Sequence, residues 1–173
     1  MIRKTYMTAA ILLLYGNLFA QQHDDHNSHH SKHHIALFNG FTTNLDHETT
    51  GYALGIDYEY YFSDLIAVGA IGEYVFSGEG ELILGVPVFI HPTSSLKFGA
   101  APIAIRAEEH HDDHHSDSHE DKYSEGKKEW SPGVRCNLAY NFHLGKVSTG
   151  PSVSVDITNT TAVVYGIAFG IFF

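Results

Sequence analysis

The last twelve residues, AVVYGIAFGIFF, alternate between large and small side chains. Every second position from Val163 to Phe173 is large and apolar, and the positions between them are mostly small. A period of two is typical of a strand whose two faces meet different surroundings. In a soluble sandwich the second face would usually be polar, whereas small residues fit the crowded interior of a narrow barrel. The segment therefore predicts a barrel strand with an apolar outer face.

The same alternation recurs along the chain and predicts eight strands. In the second of them the large residues from Tyr52 to Tyr60 would face outward, and the residues between them, which end in Asp57 and Glu59, would face inward. The sixth and seventh strands repeat this division. The predicted strands are Ile35–Thr43, Gly51–Phe62, Leu65–Ser77, Glu81–His91, Leu96–Ala107, Ser131–Phe142, Val147–Ile157 and Ala162–Phe173.

The predicted connections are short on one side of the sheet and longer on the other. Ser63-Asp64 and Pro92–Ser95 are short, whereas the segment Glu108–Trp130 is very long. Short periplasmic turns and longer outside loops are typical of outer-membrane barrels, so both termini are expected in the periplasm. The sequence thus predicts an all-β protein, an eight-stranded antiparallel up-and-down transmembrane β-barrel, with a soluble barrel or sandwich as the alternative.

The beginning of the chain predicts a secretory signal peptide over residues 1–20. Arg3 and Lys4 precede a short apolar stretch, and Leu18-Phe19-Ala20 suits a cleavage site. The stretch is too short for a spanning helix. We expect a disordered His-rich periplasmic tail over residues 21–34 and a barrel over residues 35–173, located in the bacterial outer membrane.

Charge and cysteine content narrow the function classes. The formal net charge is −10, and no basic patch is present to meet phosphates, which argues against nucleic acid as a partner. The single Cys136 cannot form an internal disulfide. Beyond the signal peptide no apolar run reaches the length of a spanning helix, about 18 residues. A spanning structure would therefore have to be a closed barrel, which alone satisfies every backbone group in lipid.

Two short motifs and the final strand carry a family resemblance. YEYYF at Tyr58–Phe62, GVPVF at Gly85–Phe89 and a last strand ending in Phe173 resemble small eight-stranded bacterial outer-membrane barrels of the OmpA-domain or OmpX type. The resemblance implies outer-membrane lipid and the barrel insertion machinery as partners. The chain departs from the pattern by placing proline inside predicted strands, where each removes a ladder hydrogen bond. We expect bulges or local kinks there. These prolines are Pro87, Pro102, Pro132 and Pro151.

Charged residues on the predicted inner face form a candidate polar network. An eight-stranded barrel has room only for its own side chains, so these groups must pair, take up protons or be hydrated. The turn Pro92–Ser95 predicts Glu81 opposite Arg106, with Arg135 at the depth of Glu73. The network is interpreted as a structural plug or as a path for protons or small cations. Its predicted members are Asp57, Glu59, Glu73, Glu81, Arg106, Arg135 and Asp156.

No residue pattern marks an enzyme. Some small outer-membrane barrels modify lipid A, but nothing in this sequence places a nucleophile and a base together. Ser148, Ser152 and Ser154 are interpreted as small polar residues of the lumen. The prediction is a non-enzymatic protein, and a lipid-modifying enzyme is the most distant alternative.

Two histidine-rich tracts predict binding of divalent transition metals. Imidazole is the commonest protein ligand for Zn, Cu and Ni, and carboxylates add oxygen ligands. The tracts are too polar to pack, so sites would assemble around the metal, and no cofactor is obligate. Buffering, sensing or handover of metal is the expected role. The alternatives are a solvated linker and a structural or adhesion protein that acts through its long outer loop; the sequence leaves the oligomeric state open. The predicted ligands are His23, His26, His29, His30, His33, His34, His110, His111, Asp112, Asp113, His114, His115 and His119.

Cleavage after Ala20 would create a more specific metal site. The mature chain would then begin Gln21-Gln22-His23. A free amine, two backbone nitrogens and an imidazole at the third position form a square-planar set of four nitrogens, which suits Cu(II) or Ni(II). The arrangement resembles the amino-terminal copper and nickel motif of albumins.

Overall fold

The strands of the barrel follow one another along nearly the whole described chain. The computed structural model describes residues 31–77, 80–108 and 128–173. No helix in these ranges could cross a membrane. The strands are β1 (His33–Asn44), β2 (Thr49–Tyr61), β3 (Ile66–Phe76), β4 (Glu81–Gly85), β5 (Val88–Ile90), β6 (Leu96–Glu108), β7 (Lys128–Tyr140), β8 (Phe142–Leu144), β9 (Val147–Ile157) and β10 (Thr161–Phe172).

The strands form one antiparallel sheet that closes on itself. β1 pairs with β2 on one side and with β10 on the other, and β10 also pairs with β9. β4 and β5 lie end to end between β3 and β6, and β8 continues β7 along β9. The ten segments therefore make eight barrel strands, and the predicted fold class is confirmed. Closure leaves no strand edge unpaired, as a spanning sheet requires.

The break between β4 and β5 lies where two prolines face the same stretch of ladder. The backbone N–H of Gly69 donates to the carbonyl of Pro87 at 2.9 Å, and that of Val86 donates to the carbonyl of Pro102 at 3.3 Å. Neither proline has an N–H to donate in return. The register is unchanged across the break, since Leu82 pairs with Arg106 and Val88 with Ala100. The predicted disturbance is thus an interruption of the ladder without the extra residue of a bulge.

A second break separates β7 from β8 and lies opposite Pro151. Ala139 pairs with Ser152 before the break, and Phe142 pairs with Thr149 after it. Pro132, by contrast, lies beyond the last β7–β9 pair, which joins Val134 and Ile157. The prolines therefore fall where a barrel strand is locally unpaired on one side.

The outer surface is apolar between two sets of aromatic rings. Ile56 and Phe169 are 58% and 52% exposed although they are strongly apolar. At the end that carries the termini, the rings of Tyr60 and Phe62 lie 5.1 Å apart. At the other end, Phe41 and Tyr52 are 6.0 Å apart. An apolar band between aromatic girdles is the surface that a barrel presents to lipid.

The interior contains an apolar core that the sequence analysis did not name. Its members come from β1, β2, β3, β4, β6 and β10. They are Phe38, Ala53, Ile71, Val75, Ile83, Ala101, Ile103 and Val164.

The barrel begins two residues earlier than predicted. β1 starts at His33, so His33 and His34, expected in the tail, are strand residues. The backbone N–H of Phe173 donates to the carbonyl of His33 at 3.0 Å, which places the first and last strands side by side. The predicted signal peptide, residues 1–20, and residues 21–30 of the predicted tail lie outside the described residues.

The apolar band predicts a depth-dependent cost of charge on the outer face. Ile167 pairs with Asn39 in the middle of β1 and β10, and Ile171 lies four residues nearer the termini on the same face. We expect Ile167→Arg to lower the free energy of unfolding by about 2–4 kcal/mol and Ile171→Arg by about 0–1 kcal/mol. Denaturant unfolding of the protein in lipid vesicles measures both. Equal costs would contradict the assigned position of the band.

Candidate functional site

The lumen holds two clusters of charged side chains. The terminal cluster consists of His34, Glu59, His91 and Lys97 and lies at the end of the barrel that carries the chain termini. The central cluster consists of Glu73, Arg135 and Asp156. All seven residues are buried. Because charged groups are rarely buried without partners, their contacts decide what the lumen can do.

The carboxylate of Glu59 organises the terminal cluster. The ammonium of Lys97 donates to its Oε1 at 2.7 Å, and the hydroxyl of Tyr61 donates to its Oε2 at 3.2 Å. His34 Nδ1 lies 3.4 Å from Oε1, and His91 Nε2 lies 3.4 Å from Oε2. Since Glu59 is fully buried, these four partners replace the water that it would otherwise bind.

Sheet geometry and small neighbours place His34 in this cluster. His34 is the cross-strand partner of Glu59. A Cβ on Gly170 would collide with His34 Nε2, so the small inner residues of β10 make room for the imidazole. The ring of Phe172 stacks on His34 with centroids 4.3 Å apart. The side chain is therefore held on all sides by the barrel wall.

The guanidinium of Arg135 joins the two acids of the central cluster. Its Nε and Nη2 donate to the two carboxylate oxygens of Asp156, each at 2.6 Å. Its Nη1 and Nη2 donate to Glu73 at 3.0 and 3.2 Å. Both acids are bound in the bidentate geometry that a planar guanidinium favours. Arg135 and Asp156 are direct cross-strand partners, and Glu73 reaches them across the lumen.

A small polar cavity lies beside the central cluster. Its volume is about 20 Å³, which corresponds to about one water molecule. Asp57, Glu73, Arg135 and Asn137 are among the residues that line it. The Asn137 amide donates to the hydroxyl of Ser154 at 2.9 Å. Within the described part of the chain, Asp57 has no hydrogen bond or ion pair. The space is large enough for a water molecule that hydrates Asp57.

Arg106 corrects the predicted network. It is exposed on the outer face and pairs with Leu82, so the predicted Glu81–Arg106 ion pair is wrong. The reason is the turn after β5: Ile90 pairs with Phe98, which shifts the register by one residue from the prediction. A shift of one residue places the two side chains on opposite faces of the sheet. The other predicted members, Asp57, Glu59, Glu73, Glu81, Arg135 and Asp156, belong to the inner face.

Sequence reasoning missed Lys97 and His91, two of the partners of Glu59. Lys97 alternates with Gly99 and Ala101, the kind of small residue found on other inner faces, and this period of two could have placed it in the lumen. Its ammonium also lies 4.5 Å from the centre of the Phe89 ring. His91 ends the predicted strand Glu81–His91 and shares the face of Glu81, so the same period of two could have placed it in the lumen.

A serine, a histidine and a glutamate also form a hydrogen-bonded chain that the sequence analysis did not foresee. Ser148 Oγ lies 2.8 Å from His34 Nε2, and His34 Nδ1 lies near Glu59. The order resembles that of a nucleophile, a base and an orienting acid. However, Ser148 and His34 are each only 2% exposed, and Lys97 already pairs with Glu59. The chain of contacts joins β9, β1 and β2 inside the terminal cluster.

Only two of the predicted metal ligands lie within the described residues. His34 is engaged as above, and His33 Nδ1 lies 2.8 Å from the hydroxyl of Tyr58 on the outer face. In the ranges that the structure describes, no group of three or more His, Cys, Asp or Glu is arranged to hold a metal. The predicted ligands outside these ranges are His23, His26, His29, His30, His110, His111, Asp112, Asp113, His114, His115 and His119.

The fold resembles that of solved barrels, although no protein-family profile and no curated protein sequence matches the chain. The N-terminal β-barrel domain of Pseudomonas aeruginosa OprF aligns with a TM-score of 0.59 and 9% identity, over 80% of this chain and 96% of that one. Neisserial surface protein A aligns with a TM-score of 0.52 and 10% identity, over 82% and 96%. The chain has the fold of a small outer-membrane β-barrel. The predicted resemblance is confirmed, and the fold supports the predicted location in the bacterial outer membrane.

The central cluster predicts a strong dependence of stability on Arg135. Arg135→Leu should lower the free energy of unfolding by about 3–5 kcal/mol, because it leaves two acids enclosed without a cation. Adding Glu73→Gln and Asp156→Asn should recover most of that loss. Chemical denaturation in detergent micelles measures both variants. A triple variant as unstable as Arg135→Leu would show that the cost arises from lost packing and not from unpaired charge.

Proposed function

We propose that this protein is a non-enzymatic outer-membrane barrel whose histidine-rich segments bind divalent transition metals. In this proposal the barrel holds the protein in the membrane, and the segments outside it bind the metal. The observation that carries the proposal is the occupied lumen: the charges of the terminal and central clusters are paired with one another, and the cavity beside the central cluster has a volume of about 20 Å³.

The strands support this division by where they begin and end. β1 starts at His33, at the end of the barrel that carries the termini. Glu108 and Lys128 form the last pair of β6 and β7 at the opposite end. The chain before β1 and the chain between β6 and β7 are the two histidine-rich segments. Metal would therefore be bound on both sides of the membrane, which suits buffering, sensing or handover.

Ligand chemistry supports the choice of metal. Imidazoles with neighbouring carboxylates suit Zn, Cu and Ni better than Mg or Ca. Because His33 and His34 are engaged by the barrel, the amino-terminal contribution rests on His23, His26, His29 and His30. In a chain processed after Ala20, His23 would add the square-planar Cu(II) or Ni(II) site.

Titration of the folded protein with Cu(II), Ni(II) and Zn(II) tests the proposal. Isothermal calorimetry in detergent should show fewer bound ions after deletion of residues 21–30 and again after replacement of the five histidines between positions 110 and 119 by Asn. His23→Ala alone should remove a Cu(II) site with square-planar absorption. His47→Asn is the matched control, because His47 is an exposed histidine outside both segments.

Two results would contradict the proposal. Undiminished binding in the absence of both segments would place the metal elsewhere. No binding by the intact protein would favour the alternative role, interaction with a partner through the segment between β6 and β7.

A further inference from the structure

An amide side chain faces outward within the apolar band. Asn39 lies at the centre of the β1–β10 ladder, five pairs from His34↔Phe172 and five from Asn44↔Ala162. Its strand neighbours Phe38 and Gly40 are buried in the lumen, and Asn39 is exposed on the other face. Among the described lipid-facing residues near this depth, it is the one with an amide.

The surroundings of Asn39 satisfy only part of its hydrogen-bonding capacity. Its cross-strand partners are Leu54 and Ile167, both apolar. Its Nδ2 donates to the hydroxyl of Tyr52 at 2.8 Å. Within the described residues its carbonyl oxygen accepts no hydrogen bond. Acyl chains supply neither donors nor acceptors, so this position is costly in a monomer that is surrounded by lipid.

The hydroxyl of Tyr52 points toward the amide of Asn39. Tyrosines of a girdle usually hold their hydroxyl at the headgroup level. Tyr52 pairs with Phe41, nearer the outer end of β1 than Asn39, yet its hydroxyl reaches back toward the middle of the band to meet the amide. The Phe41 and Phe76 rings, 6.0 and 5.7 Å away, flank it. The result is a polar pair within an aromatic patch.

We propose that Asn39 is the centre of a contact between two copies of this chain. An amide both donates and accepts, so it is complementary to itself. A two-fold axis along the membrane normal brings Asn39 against Asn39 of the second copy, where each amide N–H donates to the other carbonyl. Such a contact is isologous, because the same surface is used by both copies, and two-fold dimers of this kind are the commonest homo-oligomers. Side-chain hydrogen bonds of this kind hold membrane segments together.

Complementarity selects the second copy over other occupants. Lipid acyl chains cannot satisfy the amide, and headgroups lie at the membrane surfaces. A different protein would need a hydrogen-bond donor and an acceptor at the same depth, whereas a second copy supplies both by construction. The rings of Phe41, Tyr52 and Tyr165 form a row across β1, β2 and β10, one outward-facing position from Asn39, and provide apolar contact area.

Sedimentation equilibrium of the full chain in density-matched micelles, over a range of protein-to-detergent ratios, tests the dimer. The natural protein should fit a monomer–dimer equilibrium, and Asn39→Leu should weaken association by about tenfold or more. Asn39→Leu should fold at least as well as the natural chain, because it removes a polar group from the lipid face; circular dichroism checks this.

Cys136→Leu is the matched control, since Cys136 is exposed on the outer face of β7, away from β1. It should leave association unchanged. A natural protein that stays monomeric at every ratio would overturn the proposal. Equal association of the natural chain and Asn39→Leu would overturn it as well, by placing the contact elsewhere.

Discussion

Closure of a narrow barrel requires the charges buried deep in its lumen to find partners among the other inward side chains. Arg135 meets this requirement for Glu73 and Asp156, and Lys97 meets it for Glu59. These contacts depend on register, because Arg135 must pair with Asp156 on the neighbouring strand while Glu73 and Lys97 reach their partners across the lumen. They also depend on space, which the glycines and alanines of β10 supply. The alternation that places apolar residues against lipid therefore also determines which charges meet inside.

The periodic strands could be predicted from sequence because the polarity and size of each side chain indicate whether it faces lipid or the lumen. In β2, β7 and β10 the period of two assigned the faces from Tyr52, Leu54 and Ile167 on the outside to Glu59 and Arg135 on the inside, and the described burial agrees. The positions of the prolines predicted where the hydrogen-bond ladder is interrupted. The faces of the strands and the positions of the breaks depend only on nearby residues and on the difference between lipid and lumen.

The features that escaped prediction depend on relations between strands. Arg106 was placed inside because a turn of one more residue reverses its face, and the sequence does not state how many residues a turn will use. Lys97 and His91 were missed because a partner for Glu59 is defined only by closure. The apolar core around Ile71 and Ile83 was missed because charged and apolar residues share the same inner faces. Glu73 and Ile71, for example, both face the lumen from β3.

The packing of the lumen also bears on which parts of the chain could bind other molecules. The hydrogen-bonded chain from Ser148 through His34 to Glu59 has the order of a catalytic set, but Ser148 and His34 are buried and the ammonium of Lys97 pairs with Glu59. With the lumen occupied, we assign the proposed metal binding to the segments before β1 and between β6 and β7, and the proposed self-association to Asn39 on the outer surface.

Ion conductance through single molecules is the most direct test of the occupied lumen. The purified full chain, inserted into planar lipid bilayers in concentrated KCl, should give no sustained conductance, because the paired charges and the apolar core leave no continuous water path. A stable conductance that rises in proportion to salt concentration would show an open pore, and would contradict the account of the lumen as a closed and self-paired interior.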